Sequence, residues 1–489
     1  MIKNERQYRI TRAEAEKFQG SLDTWDATPP EGIDPIIHSA QRAALENQLR
    51  DLRRDVAEYE ALRSGRQPVL EVDSFEEFPD ALVRARIAIG LSQKDLAERL
   101  GLKEQQIQKY EATGYCGASL ARMTEVVNAL GLMVRKEVFL PPTSDTRDAL
   151  LRGLSDIGFD RKFITRRLLP NQDAADKGKP TVGDGGYVLR AAARAGRILG
   201  VSPTALLDPE PLTGNRLLAT TKFKVPAGAS EQRLTAYTFY AHYLALLTLE
   251  ATAHLRPKPI PTDPKTVRSA ILVGYGKVDF ATVLRFIWDH GVPVLPLDDP
   301  GAFYGACWRA DGRNVIALKR RSPLFSRWIQ LALHEFRHSG EEPDNPEFSV
   351  VEVTEKPDLR RDSKEEKRAN KFAAEVLLDG RAEELVQRCV DETRPRGRPR
   401  ASGQIELLKG VVPRVAEEAG VPADSLAEYL AYRLTQQGED WWGTATNLQN
   451  CNGNPWRVAR DITLENIDFS RLNPTDRELL SLALTEAED

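Results

Sequence analysis

The chain has 489 residues, 41% of them hydrophobic, and a net charge of -4. That length predicts about three domains with ordinary cores, and so small a net charge excludes nucleic-acid binding driven by bulk charge, leaving only local patches. No apolar run approaches ~18 residues, the opening Met1-Ile2-Lys3-Asn4-Glu5-Arg6-Gln7 is polar rather than a signal peptide, and the four cysteines (Cys116, Cys307, Cys389, Cys451) form no Cys-x-x-Cys pair. The expectation is a protein of the reducing cytoplasm with no membrane association.

Residues 1–65 read as a helical arm. Leu45, Leu49, Leu52, Val56, Tyr59 and Leu62 recur three and four apart, which is a short coiled-coil-like seam. Two readings stand side by side. The seam is the zipper of a homodimer, or the helix packs on its own domain, because the repeat falls short of three to four heptads.

Residues 74–141 carry a different pattern. A helix containing Leu82, Val83, Ile87 and Ile89 is followed by Leu91-Ser92-Gln93-Lys94-Asp95-Leu96-Ala97-Glu98-Arg99-Leu100-Gly101, in which Ser92 caps a short helix that Gly101 ends. Residues 103–111 form another, and 120–130 a closing helix. Two short helices about a Gly-containing turn are the helix-turn-helix plan, with Ala97 at the crossing and Leu96, Leu100, Ile107 and Tyr110 inside. The second helix exposes Gln105, Gln106, Gln108 and Lys109. Amides both donate and accept, which suits adenine edges in the major groove. Gln93 and Lys94 begin the first helix of the pair, where a phosphate is held. A solvated face in an ordinary bundle is the plain alternative. The run Ser-Gln-x-x-Leu-Ala-x-x-Leu-Gly-x-x-x-x-x-Ile-x-x-Tyr-Glu resembles the Cro/CI-type (XRE) domain over its full length. The resemblance implies a double-stranded DNA operator as partner and Gln93, Gln105, Gln106 and Lys109 as DNA-facing positions.

Residues 142–212 read as helices with a polar break at 172–186, similar to a degenerate second domain of the same kind. Residues 234–255 form a strongly apolar helix. Its His242 and the nearby His254 lack an acidic partner at ligand spacing and are expected to be structural. A proline-rich spacer at 257–264 leads to a helix at 278–290. Then β structure begins: 292–297 is an edge strand by its prolines, and 302–310 and 314–320 flank Asp311-Gly312, a hairpin signal. An exposed edge there would pair with an extended substrate.

The stretch 322–378 organises the rest. Ser322-Pro323 reads as a helix start and Gly340 as its stop, with Phe325, Trp328, Ile329, Ala332, Leu333 and Phe336 at helical spacing. This buried helix contains His334-Glu335-Phe336-Arg337-His338. His334 and His338 lie one turn apart on one face, the arrangement in which two imidazoles hold one Zn²⁺ with the glutamate beside it. A third ligand is needed, and the helix from 363 offers Glu366 on the face of Ala369, Asn370, Ala373, Val376 and Leu377. Ser363-x-x-Glu366 is equally a capping box, with Glu365 as a spare carboxylate. His-Glu-x-x-His followed by Glu-x-x-Ala-Asn-x-Phe-Ala-Ala-x-x-Leu-Leu resembles the ImmA/IrrE zinc metallopeptidases over roughly residues 270–380. The resemblance implies His334, His338 and Glu366 as zinc ligands and Glu335 as general base. The implied substrate is a helix-turn-helix repressor or the chain itself, in a stress, phage or mobile-element response. One departure is Phe336-Arg337, where members often carry Leu-Gly; Arg337 or a tyrosine is then the candidate oxyanion partner.

Beyond a helix at 381–390, Arg394-Pro395-Arg396-Gly397-Arg398-Pro399-Arg400 is similar to an AT-hook, with Arg396 and Arg398 as minor-groove candidates and a plain basic loop as the alternative. Residues 404–436 form two helices about Gly420, and Trp441, Trp442 and Trp456 are expected to pack a C-terminal domain. The expected fold class is mainly α with an α+β central domain. The expected parts are a helical arm (1–65), a helix-turn-helix bundle (74–141), a helical segment (142–212), a small-sheet metallopeptidase domain (213–390), a basic loop (391–403) and a helical C-terminal domain (404–489). The expected function is a DNA-binding transcriptional regulator with a zinc endopeptidase. The alternatives are a regulator whose metal fold senses without cutting, or the antitoxin of a toxin–antitoxin pair.

Overall fold

A computed structural model of the chain describes all residues except 26–34, 65–69, 71, 73–74, 76, 135–143, 169–183, 208–230, 300–302, 320–321, 354–363, 394–404, 450–452 and 487–489. The chain divides into two compact units, Met1–Val138 and Phe139–Asp489.

In the first unit, α1 (Glu5–Asp23) and α2 (Pro35–Arg63) lie side by side, with Tyr8 stacked on Tyr59 at 5.1 Å between ring centres. The seam of α2 is partly filled within the chain. Leu49, Tyr59 and Leu62 are buried, and Tyr59 and Leu62 share a core with Ile2, Phe78, Leu82 and Val83. Leu45, Leu52 and Val56 are half-buried, so the unit's own packing takes up part of the seam. Four helices follow, α3 (Phe78–Ala88), α4 (Gln93–Leu100), α5 (Glu104–Ala112) and α6 (Leu120–Ala129). Ser92 caps α4 by accepting the Asp95 N–H, while Asp95 accepts the Ser92 N–H in return. Gly101 ends α4 in the left-handed region at φ 65°, which a side chain would resist. Leu96 and Ile107 are fully buried and Ala97 nearly so, where α4 and α5 meet.

The second unit is built on a four-stranded sheet in the order β1-β3-β2-β4, comprising β1 (Val294–Leu297), β2 (Phe303–Ala310), β3 (Arg313–Lys319) and β4 (Phe348–Val353). β2 and β3 form the expected hairpin, with Asp311 and Gly312 at positive φ (48° and 75°) in the turn. β1 runs parallel to β3 at one edge, and β4 runs antiparallel to β2 at the other. β4 lies in the stretch expected to link the two helices of the metal site, and no strand was foreseen there.

Helices cover both faces. One face carries Leu295, Leu297, Ala306, Trp308, Val315 and Ala317. It packs against α7 (Ser144–Ile157), α8 (Arg161–Phe163, continued by a π turn to Leu168), α9 (Asp184–Leu199), α10 (Pro203–Leu207) and α11 (Glu231–Ala251). The other face carries Val294, Cys307, Ile316 and Leu318. It packs against α12 (Pro264–Tyr275), α13 (Phe280–Asp289), α14 (Phe325–Ser339) and α15 (Lys364–Leu377). The alternation along each strand is what a two-sided core demands. The later helices continue that second core: α16 (Ala382–Glu392), α17 (Leu408–Ala419), α18 (Ala423–Thr435), α19 (Trp442–Asn447) and α20 (Pro455–Asn466). The last helix, α21 (Pro474–Ala483), returns to the first face. The segments drawn as 142–212, 213–390 and 404–489 thus share two continuous cores. Trp441 and Trp456 are buried in the second of them.

Two boundaries moved. α14 starts at Phe325, with Leu324 as its cap, rather than at Pro323; the Ser322 carbonyl instead accepts the Trp328 indole N–H at 2.8 Å. The expected spacer ending at Pro264 is followed at once by α12, because Asp263 caps a helix with Pro264 in its first turn.

Candidate metal centre and nucleic-acid interface

The two central helices of the second unit bring three ligand groups together. Nε2 of His334 lies 3.0 Å from Nε2 of His338. Glu366 on α15 places Oε2 3.3 Å from His334 Nε2 and Oε1 3.6 Å from His338 Nε2. Ligand atoms of all three lie within 4.8 Å of one another. Two Zn–N bonds near 2.0 Å at a tetrahedral angle require nitrogens about 3.3 Å apart, so the donor set and its spacing fit one zinc ion. Ser363, the partner in the alternative capping box, lies outside the described residues. Glu365 points away, paired with Arg368 at 3.3 Å and 54% exposed.

The outer nitrogens of both imidazoles are held. His334 Nδ1 is 3.2 Å from Asn370 Oδ1, and His338 Nδ1 is 3.4 Å from Glu341 Oε2. Both Nε2 atoms are thereby turned to the centre, which is how neighbouring acceptors orient ligating histidines. The hydrogen bond from His338 also holds the Glu341 carboxyl below the usual carboxylate range. Arg337 lies 3.7 Å from the same Glu341, on its Oε1.

Why do α14 and α15 sit so close? Ala369 and Ala373 are fully buried at their contact, so the backbones approach without obstruction. Each helix is also fixed at its carbonyl end by a buried arginine. Arg309 on β2 donates to the carbonyls of Ser339 and Glu341 at 2.8 Å each, of Asn345 at 3.0 Å and of Glu342. Arg268 on α12 donates to Val376 at 2.9 Å, Leu377 at 3.1 Å and Gly420 at 2.7 Å. Cationic groups at helix C-termini meet both the unbonded carbonyls and the negative end of the helix dipole.

Glu335 is fully buried and faces β2. A Cβ built on Gly305 would lie 2.1 Å from Glu335 Oε1 and 2.9 Å from Leu331 Cδ1, so any larger residue there must displace one of those side chains. Gly305, Cys307 and Arg309 alternate along β2 on the side of α14. Burial, and then the charge of Glu335, push the Cys307 thiol well above its ordinary range.

In the first unit, α5 presents Gln105 and Lys109 as exposed side chains one turn apart, opposite buried Ile107 and Glu111. Gln106 is exposed but its amide oxygen accepts the Lys103 N–H at 3.1 Å, and the Gln108 amide donates to Glu104 at 3.0 Å. Lys94 is exposed beside Glu98. Gln93 is a correction. Rather than facing outward it is 7% exposed, donating to Glu111 Oε2 at 2.7 Å and accepting from Asn4. The reason is a buried ion pair, Arg86 to Glu111 at 2.6 Å, which draws nearby polar groups toward it. Arg396 and Arg398 lie outside the described residues.

A helix-turn-helix family model matches residues 82–131. Those residues form a helix-turn-helix domain, and α3 to α6 are its helices. The match supports a DNA-binding regulator, with double-stranded DNA as the partner. No curated protein matches the chain, and no solved structure does. Among the described residues, no helix is long and apolar enough to cross a membrane.

Sequence reasoning placed Asn370 on the face of Glu366 but gave it no role, and missed Glu341, Gly305 and Arg309. Asn370 and Glu341 had a signal, since each is one helical turn from a ligand: Asn370 four residues after Glu366, and Glu341 three after His338. Gly305 and Arg309 had none, because both act across the strand–helix interface.

Proposed function

We propose that this chain is a transcriptional regulator whose second unit is a zinc endopeptidase similar to the ImmA/IrrE type, cutting a helix-turn-helix repressor or its own chain. The observation that carries this is the convergence of His334, His338 and Glu366, with Glu335 buried on the same helix as the two histidines. His334, His338 and Glu366 would hold the ion, and a bound zinc supplies Lewis acidity at that point. Glu335 takes the proton of the attacking water and returns it to the departing amine nitrogen, the part of a general base that becomes a general acid. Asn370 and Glu341 keep the imidazoles oriented. β4, the edge of the sheet away from β1, is the strand along which an extended peptide would add. The proposed setting is the cytoplasm. The proposed assembly is a homodimer, because two copies match an operator made of two half-sites.

The test is metal analysis of wild type and His334→Ala, alongside cleavage of the chain itself and of a helix-turn-helix repressor by wild type and Glu335→Gln. One zinc per wild-type chain, lost in His334→Ala, with cleavage reduced about 10²–10⁴-fold in Glu335→Gln, is the expected result. A wild type that takes up no zinc refutes the peptidase.

One observation favours a second reading, a regulator that senses without cutting. Glu335 is 0% exposed, and His334 and His338 are only 3% and 1% exposed. If zinc binds while wild type and Glu335→Gln are equally inert toward both substrates, the sensor reading takes its place.

A further inference from the structure

The residues before α4 are not the only ones that line the helix-turn-helix face. A cleft of about 1090 Å³ lies between the first turn of α1 and the starts of α4 and α5, lined among others by Lys3, Arg6, Gln7, Gln93, Glu104 and Gln108. The N-terminal segment is bound tightly to that place. Ile2 is 4% exposed in the domain core, the Lys3 carbonyl accepts from Arg86 at 2.7 Å, and Asn4 donates to Gln93. The Lys3 ammonium donates to the Glu111 carbonyl.

Charge decides what this cleft takes. Arg63 is matched by Glu5 at 2.6 Å and Arg86 by Glu111. Lys3 is committed to a carbonyl. Arg6 is exposed on the rim, with no carboxylate at ion-pair distance among the described residues. Gln93, at the start of α4, is 7% exposed and its amide is bonded to Glu111 and Asn4. Of the four cations that line the cleft, Lys3, Arg6, Arg63 and Arg86, Arg6 is thus the one left without such a partner among the described residues, and it lies on α1.

We propose that Arg6 binds a backbone phosphate of the duplex that α5 enters, making the start of α1 a third DNA-contacting element of this unit. This deepens the DNA-binding reading and rests on it. A phosphate contact fixes register without reading sequence, and its guanidinium fork can span two phosphate oxygens. Each phosphate neutralised adds about 0.9 to the steepness with which log K falls against log salt.

The experiment titrates the full chain with a mixed-sequence DNA duplex over a series of salt concentrations. Wild type is compared with Arg6→Gln, Arg6→Lys and, on α5, Lys109→Gln. The expected result is weaker binding by Arg6→Gln with a slope shallower by about one, restored in large part by Arg6→Lys. Arg6 is exposed, so the variants keep the fold, which circular dichroism checks. If Arg6→Gln matches wild type in affinity and slope, or binds more tightly, while Lys109→Gln is weakened, the inference fails and α5 remains the DNA helix. If neither Arg6→Gln nor Lys109→Gln differs from wild type, both the inference and the assignment of α5 fall.

Discussion

Gly305 and Glu335 meet where β2 passes under α14, and a single methyl on the glycine would lie 2.1 Å from the glutamate oxygen. Gly305→Ala must therefore displace Glu335 or bend the strand. Overpacking of this kind costs about 1–3 kcal/mol. Denaturant unfolding should show that loss, zinc should still bind, and any cleavage seen in wild type should vanish. An alanine variant as stable and as active as wild type would mean that the contact relaxes at no cost.

Arg309 should be as sensitive from the other end of the helix. Its guanidinium serves the carbonyls that close α14 and the turn bearing Glu341. Arg309→Met leaves those buried carbonyls without donors, at about 1–3 kcal/mol for each one left unsatisfied. Arg309→Lys should not rescue, because one ammonium cannot span the positions that the planar fork reaches. Both variants should lower zinc affinity as His338 loses the Glu341 contact, roughly 10–100-fold. Calorimetric zinc titration of the two variants checks this; an affinity equal to wild type would show that the turn holds without the arginine.

In the first unit the pair Arg86–Glu111 is buried and bonded at two points, 2.6 and 2.7 Å. Removing one partner strands the other charge. Glu111→Leu should cost about 3–5 kcal/mol and abolish duplex binding. The double change Arg86→Met with Glu111→Leu should recover much of the stability, since no lone charge is left. Thermal unfolding of wild type and the two variants discriminates: a double variant less stable than Glu111→Leu would contradict the account.

His242 sets an acid limit. Burial pulls its pKa down to about 4 from the ordinary 6.5, with its ring edge-on to Trp308 at 5.5 Å. Between pH 6.5 and 4 the unfolded chain binds this proton and the folded chain does not, so stability rises with pH across that window and is lost as pH falls. The full effect is on the order of 3 kcal/mol. His242→Phe should flatten the profile between those limits while leaving other acid transitions in place. An unchanged slope in urea midpoints from pH 6.5 to 4 would remove His242 from consideration.

Local signals made much of this legible. Ser92, Asp95 and Gly101 fix both ends of α4 by short-range chemistry, and Asp311-Gly312 imposes its turn wherever it lies. The histidine spacing on α14 needs only a helix. What stayed hidden depends on partners distant in sequence. Gln93 looked like a surface amide until Arg86 and Glu111 gave it a buried partner. The seam of α2 showed its period but not its partner; Tyr59 and Leu62 pack on residues before α1 and on α3, far off in sequence. β4 (Phe348–Val353) follows a run of acidic and turn residues, and its short alternation, Phe-Ser-Val-Val-Glu-Val, was overshadowed by the helices on either side. From the residues alone Glu366 was balanced between capping and ligation, because both need a carboxylate in a first turn; the resemblance of the paired motifs, not the local pattern, pointed to ligation.

The flank of β1 is sealed by α20, where the Thr463 hydroxyl donates to the Val294 carbonyl at 2.8 Å. A chain cut short before Pro455 would strip that seal and bare a row of unpaired peptide groups from Val294 to Leu297. Exposed backbone of that kind templates the addition of further strands from other copies. Shortened forms should thus polymerise rather than merely melt, with light scattering growing in proportion to concentration, and the tail of this chain would serve as a guard against self-association.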